Sequence, residues 1–77
     1  HLATYWADKG IRVNALTPGG VESGQNEEFK LRYSSRVPMA RMANANEMVG
    51  ALLYLSSDAS SYVTGQNLIV DGGLACW

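Results

Sequence analysis

The 77 residues carry 6 Lys+Arg against 7 Asp+Glu, a formal net charge of −1, with 47% apolar residues, and form one small domain at most. That balance gives no electrostatic footprint for nucleic acid or an anionic membrane surface, and no apolar run is long enough to span a bilayer. The one cysteine, Cys76, excludes an internal disulfide and suits a reducing, cytoplasmic setting; with one His beside it, it cannot make a usual protein metal site.

The chain opens inside a helical pattern. Leu2, Tyr5 and Trp6 recur at i, i+3, i+4, which predicts one apolar helical face. Lys9 suits the last turn of a helix ending within residues 1–9, and Gly10 suits its left-handed cap. No Met or cap precedes this helix, so the chain reads as a piece of something longer.

Residues 10–23 organise the rest of the chain. Ile11, Val13 and Ala15 alternate with Arg12, Asn14 and Leu16, predicting a strand over 11–17. Pro18-Gly19-Gly20 then ends it: proline has no N–H for a ladder, and two glycines permit a tight turn and close approach of a ligand. Apolar character on both sides predicts burial on both faces, as in a parallel sheet. Ligands of such sheets bind outside the carboxyl ends of the strands, where this bend would lie.

From Val21 to Arg36 the chain turns polar, with Phe29, Leu31 and Tyr33 interspersed. Asn26 is expected to cap a short helix from about Glu27 to Ser34, whose first-turn acids favour the helix dipole. Covers of active sites are drawn from such excursions, although a solvated connector is the plainer reading. Pro38 keeps 37–42 irregular. A helix over 45–57 comes next, opened by a capping box from Asn44 to Glu47. Its stripe of Met48, Ala51, Leu52 and Leu55 is widened by Val49, Leu53 and Tyr54, an arc broad enough for two partners. One is the sheet; the other is a neighbouring helix or another subunit. Gly50 costs about 1 kcal/mol against Ala in a helix interior, which suggests a close packing contact there. A second strand over 66–71 closes at Asp71-Gly72-Gly73, and Trp77 in the apolar tail is expected to dock on a neighbour. Strand, helix, strand makes an α/β fold: a right-handed βαβ unit.

Four stretches together resemble the C-terminal part of the short-chain dehydrogenase/reductase family. They are Gly10-Ile11-Arg12-Val13-Asn14 running to Pro18-Gly19, then Arg36-x-Pro38-x-x-Arg41. Next come Glu47 opening a helix that ends Leu55-Ser56-Ser57-Asp58, and Thr64-Gly65-Gln66-x-Leu68-x-Val70-Asp71-Gly72-Gly73. The resemblance implies that residues 1–77 are the C-terminal βαβ portion of one doubly wound, Rossmann-type parallel sheet, and that the two strands are its last two. It implies NAD or NADP as cofactor and hydride transfer between nicotinamide and a small-molecule carbonyl or secondary alcohol. By the same resemblance Pro18, Gly19, Val21 and Ser23 contact the cofactor. Val21 offers main-chain groups to the carboxamide, and Ser23 stands where the family commonly has a hydrogen-bonding Thr. Residues 21–43 become the substrate cover, and the last helix and strand a homo-oligomer contact. The stretch from Arg36 to Gly73 also resembles members linked to surface-sugar or flagellin modification.

The resemblance further places the glycine-rich nucleotide loop, the residue choosing NAD or NADP, and the catalytic Ser and Tyr-x-x-x-Lys pair before residue 1. No catalytic residue is therefore expected within these 77. The alternative is a non-catalytic structural or oligomerisation module, since two parallel strands alone expose ladder edges and form no self-sufficient sheet.

Tyr5-Trp6-Ala7-Asp8-Lys9 does match Tyr-x-x-x-Lys, chemistry in which Lys lowers the pKa of a proton-donating Tyr. A crossover helix, however, runs antiparallel to its strand, so its last turn adjoins the strand's beginning. The ligand end is then roughly 20 Å away, for six residues at about 3.3 Å each. Tyr5 is instead expected to be a core aromatic and Lys9 a solvated cation. Asn14 is expected to satisfy backbone groups, Arg36 and Arg41 to pair with acids, and Asp71 to serve its turn.

Overall fold

Two four-residue strands, β1 (Ala15–Pro18) and β2 (Asn67–Val70), run parallel and pair from Ala15↔Asn67 to Pro18↔Val70 in the computed structural model. The structure describes residues 1–76, so the expected docking of Trp77 lies outside the described residues. Ahead of β1 stands α1 (Leu2–Trp6), continued by a 3₁₀ turn over Ala7–Lys9. Between the strands come α2 (Glu27–Ser34), α3 (Asn46–Ser56) and a 3₁₀ turn over Asp58–Ser60; Leu74–Cys76 forms a last 3₁₀ turn. Helix α3 packs against both strands, which makes the βαβ unit that the hydrophobic pattern predicts.

The first strand begins later than the alternation implies, at Ala15 rather than residue 11. Over 13–14 side chains take over part of the ladder. The Val13 N–H donates to Thr64 Oγ1 at 3.1 Å, Asn14 Nδ2 donates to the Val63 carbonyl at 3.0 Å, and Asn14 Oδ1 accepts the Gln66 N–H at 3.0 Å. Asn14 thus serves backbone groups, as a polar residue in an apolar strand should. Backbone pairing is already present at Val13, whose carbonyl accepts the Gly65 N–H at 2.8 Å, and continues with the Ala15 N–H on the Gln66 carbonyl at 2.8 Å.

The strand ends at Pro18, which is its last residue, but not for want of the proline N–H. Ala15 and Gly19 send their N–H groups to β2, so residue 18, three past Ala15, faces the other edge, where its missing donor leaves no ladder bond unmade. The two glycines also have another cause than the one expected, because neither has a positive φ. A Cβ at Gly19 would stand 2.7 Å from Asp71 Cβ and 2.8 Å from Asp71 Cα. A Cβ at Gly20 would overlap the Tyr33 ring. They are glycines because this chain's own groups approach there.

Burial on both strand faces is not observed: Ala15, Thr17, Pro18, Asn67 and Ile69 are exposed. Among the described residues the buried apolar ones are Ala3, Val37 and Met42, with Ser60 fully enclosed. Helix α1 turns Ala3 inward beside Gly65 and leaves Leu2 and Tyr5 outside, which corrects the expected apolar face. Leu2 and Tyr5 are large and the contact is tight, so the small residue takes it. Half of the capping box of α3 forms. The Asn44 N–H donates to Glu47 Oε1 at 2.8 Å, while the Glu47 N–H goes to the Asn44 backbone carbonyl rather than its side chain. On α3, Val49, Leu52, Leu53 and Tyr54 are exposed, and Gly50 faces open space. The second partner of its wide arc is not among the described residues.

One side chain fastens the far end of this unit. Arg12 sends Nη2 to the carbonyls of Leu55 (3.0 Å) and Ser57 (3.2 Å), and Nη1 to Ser60 Oγ (2.9 Å) and the Val63 carbonyl (3.2 Å). These include carbonyls at the C-terminus of α3, which lack helical partners and carry the negative end of its dipole. The planar guanidinium fork matches that cluster, so the amino end of the strand region is tied to the helix that crosses over it.

Candidate cofactor-binding site

The carboxyl ends of β1 and β2 open on a cavity of about 80 Å³, lined by Gly20 after β1 and by Val70, Asp71 and Gly72 at the end of β2. Tyr33 of α2 and Arg41, Glu47 and Met48 close its sides. This is where a parallel sheet receives its ligand. Each wall has a local cause. Asp71 takes the N–H groups of Gly73 and Ala75 on its two carboxylate oxygens, both at 2.9 Å, and so shapes the turn after β2. Arg41 and Glu47 meet in a two-point pair at 2.7 and 2.9 Å. With the Asn44 N–H as second partner, that pairing draws the Glu47 carboxyl down to about 2.

The bend itself is held from both sides. The Gly19 N–H continues the ladder onto the Val70 carbonyl at 2.8 Å. Val21 forms a parallel bridge with Ala43, in which the Ala43 N–H donates to the Gly20 carbonyl (2.9 Å) and the Glu22 N–H to the Ala43 carbonyl (2.8 Å). In extended chain the N–H and carbonyl of one residue point to the same side, so those of Val21 face away from Ala43. The Val21 N–H has no partner among the described residues, and the carbonyl accepts Gln25 Nε2 at 3.1 Å. The Ser23 hydroxyl is likewise unpartnered among the described residues, while its N–H donates to Gln25 Oε1 at 2.8 Å.

Helix α2 begins where Asn26 predicts, with Asn26 Oδ1 accepting the Phe29 N–H at 2.8 Å. Lys30 reaches back to Glu27 at 3.0 Å and Glu22 at 3.1 Å, and these two acids hold its ammonium above its ordinary pKa. The Tyr33 hydroxyl accepts the Gly20 N–H at 2.6 Å, and its ring stacks on Phe29.

Pro18, Gly19, Val21 and Ser23 therefore stand together in one bend at the carboxyl end of β1. None of the four lines the cavity; Gly20, between them, does. Tyr33 and Gln25 act on this bend without having been singled out by sequence reasoning. Only the spacing of Tyr33 four residues after Phe29 could have marked it, as one face of a short helix.

Tyr5 and Lys9 lie before β1, at the opposite end from the bend. The ammonium of Lys9 stands 4.7 Å over the Tyr5 ring and 3.6 Å from Asp8, and both residues are solvent-exposed. Lys9 is the solvated cation expected; Tyr5 is not the core aromatic expected.

A parallel βαβ unit with an opening beyond its strand ends is the nucleotide-binding pattern of α/β oxidoreductases. Residues 1–75 match the family described as enoyl-(acyl carrier protein) reductase, and the chain belongs to the short-chain dehydrogenase/reductase family. It is 52% identical to a D-arabinitol 2-dehydrogenase (ribulose-forming) of Candida tropicalis, with 99% of this chain and 30% of that protein covered. It is 42% identical to an NADP-dependent mannitol dehydrogenase of Alternaria alternata, over 94% of this chain and 28% of that one. A short chain dehydrogenase from Leptospira borgpetersenii, solved with bound NAD+, superimposes with a TM-score of 0.89 at 46% identity, over 95% of this chain and 29% of the other. The chain thus spans about 30% of the length of the curated relatives it matches, and the fold is Rossmann-like α/β.

Proposed function

We propose that these residues form the last part, residues 1–77, of a single dehydrogenase domain that transfers a hydride between NAD or NADP and a sugar alcohol or its ketose. The observation that carries this reading is the main chain of Val21, whose N–H, unpartnered among the described residues, and carbonyl face the same side beyond the strand ends. A primary carboxamide needs that donor and acceptor pair. The carbonyl already receives one such group, that of Gln25. Pro18 and Gly19 set the bend, Val21 holds the carboxamide, and the Ser23 hydroxyl adds a further hydrogen bond. When bound, the nicotinamide supplies the hydride chemistry; the protein orients it. Residues 21–43, fastened through Tyr33, cover the substrate.

The relatives that act on D-arabinitol and mannitol support a polyol substrate, and they lend nothing to the surface-sugar subgroup that the stretch from Arg36 to Gly73 resembles. Val49, Leu52 and Leu53 on α3, together with Ile69 on β2, give the whole protein an apolar face for a homo-oligomer. Among the described residues no helix is long and apolar enough to cross a membrane. The test is turnover of D-arabinitol and mannitol by the whole protein with NAD+ and NADP+. Formation of reduced nicotinamide supports the reading, and none with either cofactor contradicts it.

A further inference from the structure

We propose that the Gln25 side chain is a built-in occupant of the carboxamide position, one that an incoming nicotinamide must displace. The proposal rests on Val21 being the carboxamide contact. Gln25 Nε2 donates to the Val21 carbonyl at 3.1 Å and its Oε1 accepts the Ser23 N–H at 2.8 Å. Turning the amide over would set donor against donor and acceptor against acceptor, so this orientation is fixed by its partners. The amide is the same functional group that nicotinamide carries.

The direction of approach brings the two onto one edge. Glu22 N–H and the Gly20 carbonyl are spent on Ala43, so the N–H and carbonyl of Val21 share the opposite edge. Gln25 lies on that same edge, spanning from Val21 to Ser23. A ligand that engages both main-chain groups of Val21 meets the Gln25 amide there. It takes over the carbonyl and sets the side chain free.

Release has a consequence for the cover. Gln25 is followed directly by Asn26, whose side chain caps α2. Loss of the tether across 21–25 lets the start of α2 move while its last turn stays fastened to Gly20 through Tyr33. Cofactor arrival and adjustment of the cover are thereby joined through one residue.

The experiment is calorimetric titration of the whole protein with NAD+ and NADP+, in wild type and in Gln25→Ala, with the Val21 amide followed by 15N NMR. A residue that only supports the bend weakens binding when removed; a competitor strengthens it. Gln25→Ala is expected to bind cofactor about three- to tenfold more tightly, the worth of one or two displaced amide hydrogen bonds. Gln25→Glu, which can accept from Ser23 but cannot donate to the Val21 carbonyl, is expected to shift the same way and serves if the alanine variant does not fold. Equal or weaker binding, with the Val21 resonance still moved by cofactor, overturns the proposal alone. A Val21 resonance that no cofactor moves overturns the reading beneath it.

Discussion

The Tyr33 hydroxyl accepts the Gly20 N–H at 2.6 Å, so the last turn of α2 is fastened to the bend that comes after β1. The glycine makes this possible, since any Cβ there would overlap the phenol ring. Tyr33→Phe keeps the ring and removes the acceptor, at an expected stability cost of about 1 kcal/mol. In the whole protein it should raise KM for the cofactor several-fold, because Gly20 precedes Val21. Gly20→Ala should do the same by expelling the ring. The double variant should be little worse than either single one, since both break one contact. Steady-state kinetics on the three variants checks this; additive losses would mean the contact is not shared.

Acid should act on the wall formed by Arg41 and Glu47. Arg41 and the Asn44 N–H hold the Glu47 carboxyl at about 2, below the 4.5 of an unpaired group. A folded-state pKa below the unfolded one means the stabilisation is fully present above about 4.5 and disappears as the pH falls toward about 2. Glu47→Gln should therefore be less stable than wild type at neutral pH. The gap between their melting temperatures should close across that window. It should also narrow in high salt, because both partners are partly exposed. A gap that stays constant from about pH 6 to about 2 would contradict the assignment.

Arg12 should matter to stability well beyond a surface cation. Its guanidinium serves the carbonyls of Leu55, Ser57 and Val63 and the hydroxyl of the fully buried Ser60. Arg12→Ala leaves these acceptors without their donor, an expected loss of about 2 kcal/mol or more. Arg12→Lys supplies the charge without the fork and should recover only part of it. Denaturant titration distinguishes the two. Equal stability of wild type and lysine variant would show that charge alone suffices.

Local features of this chain were readable because their causes lie within a few residues. Asn26 capping α2, Asp71 shaping its turn and Gly10 closing the first helical segment each depend on neighbours in sequence. The parallel pairing was readable from a strand, helix, strand order. What escaped reading depends on distant partners. The start of β1 is delayed because Asn14 and Thr64, some fifty residues apart in sequence, take the N–H groups of Gln66 and Val13 on their side chains. Arg12 meets its acceptors only once α3 has crossed over. Gly19 and Gly20 look like turn residues in sequence, yet Asp71 and Tyr33 dictate them. The bend at Pro18 to Ser23 was found by its place at a strand end, whereas Gln25 and Tyr33 became visible only with their hydrogen bonds.

The most direct test is a crystal structure of the whole protein with NAD+ or NADP+ bound. The account predicts the nicotinamide carboxamide within hydrogen-bonding distance of the Val21 main chain, beyond the carboxyl ends of β1 and β2. A cofactor whose nicotinamide lies instead by Tyr5 and Lys9, at the amino end of β1, would contradict it.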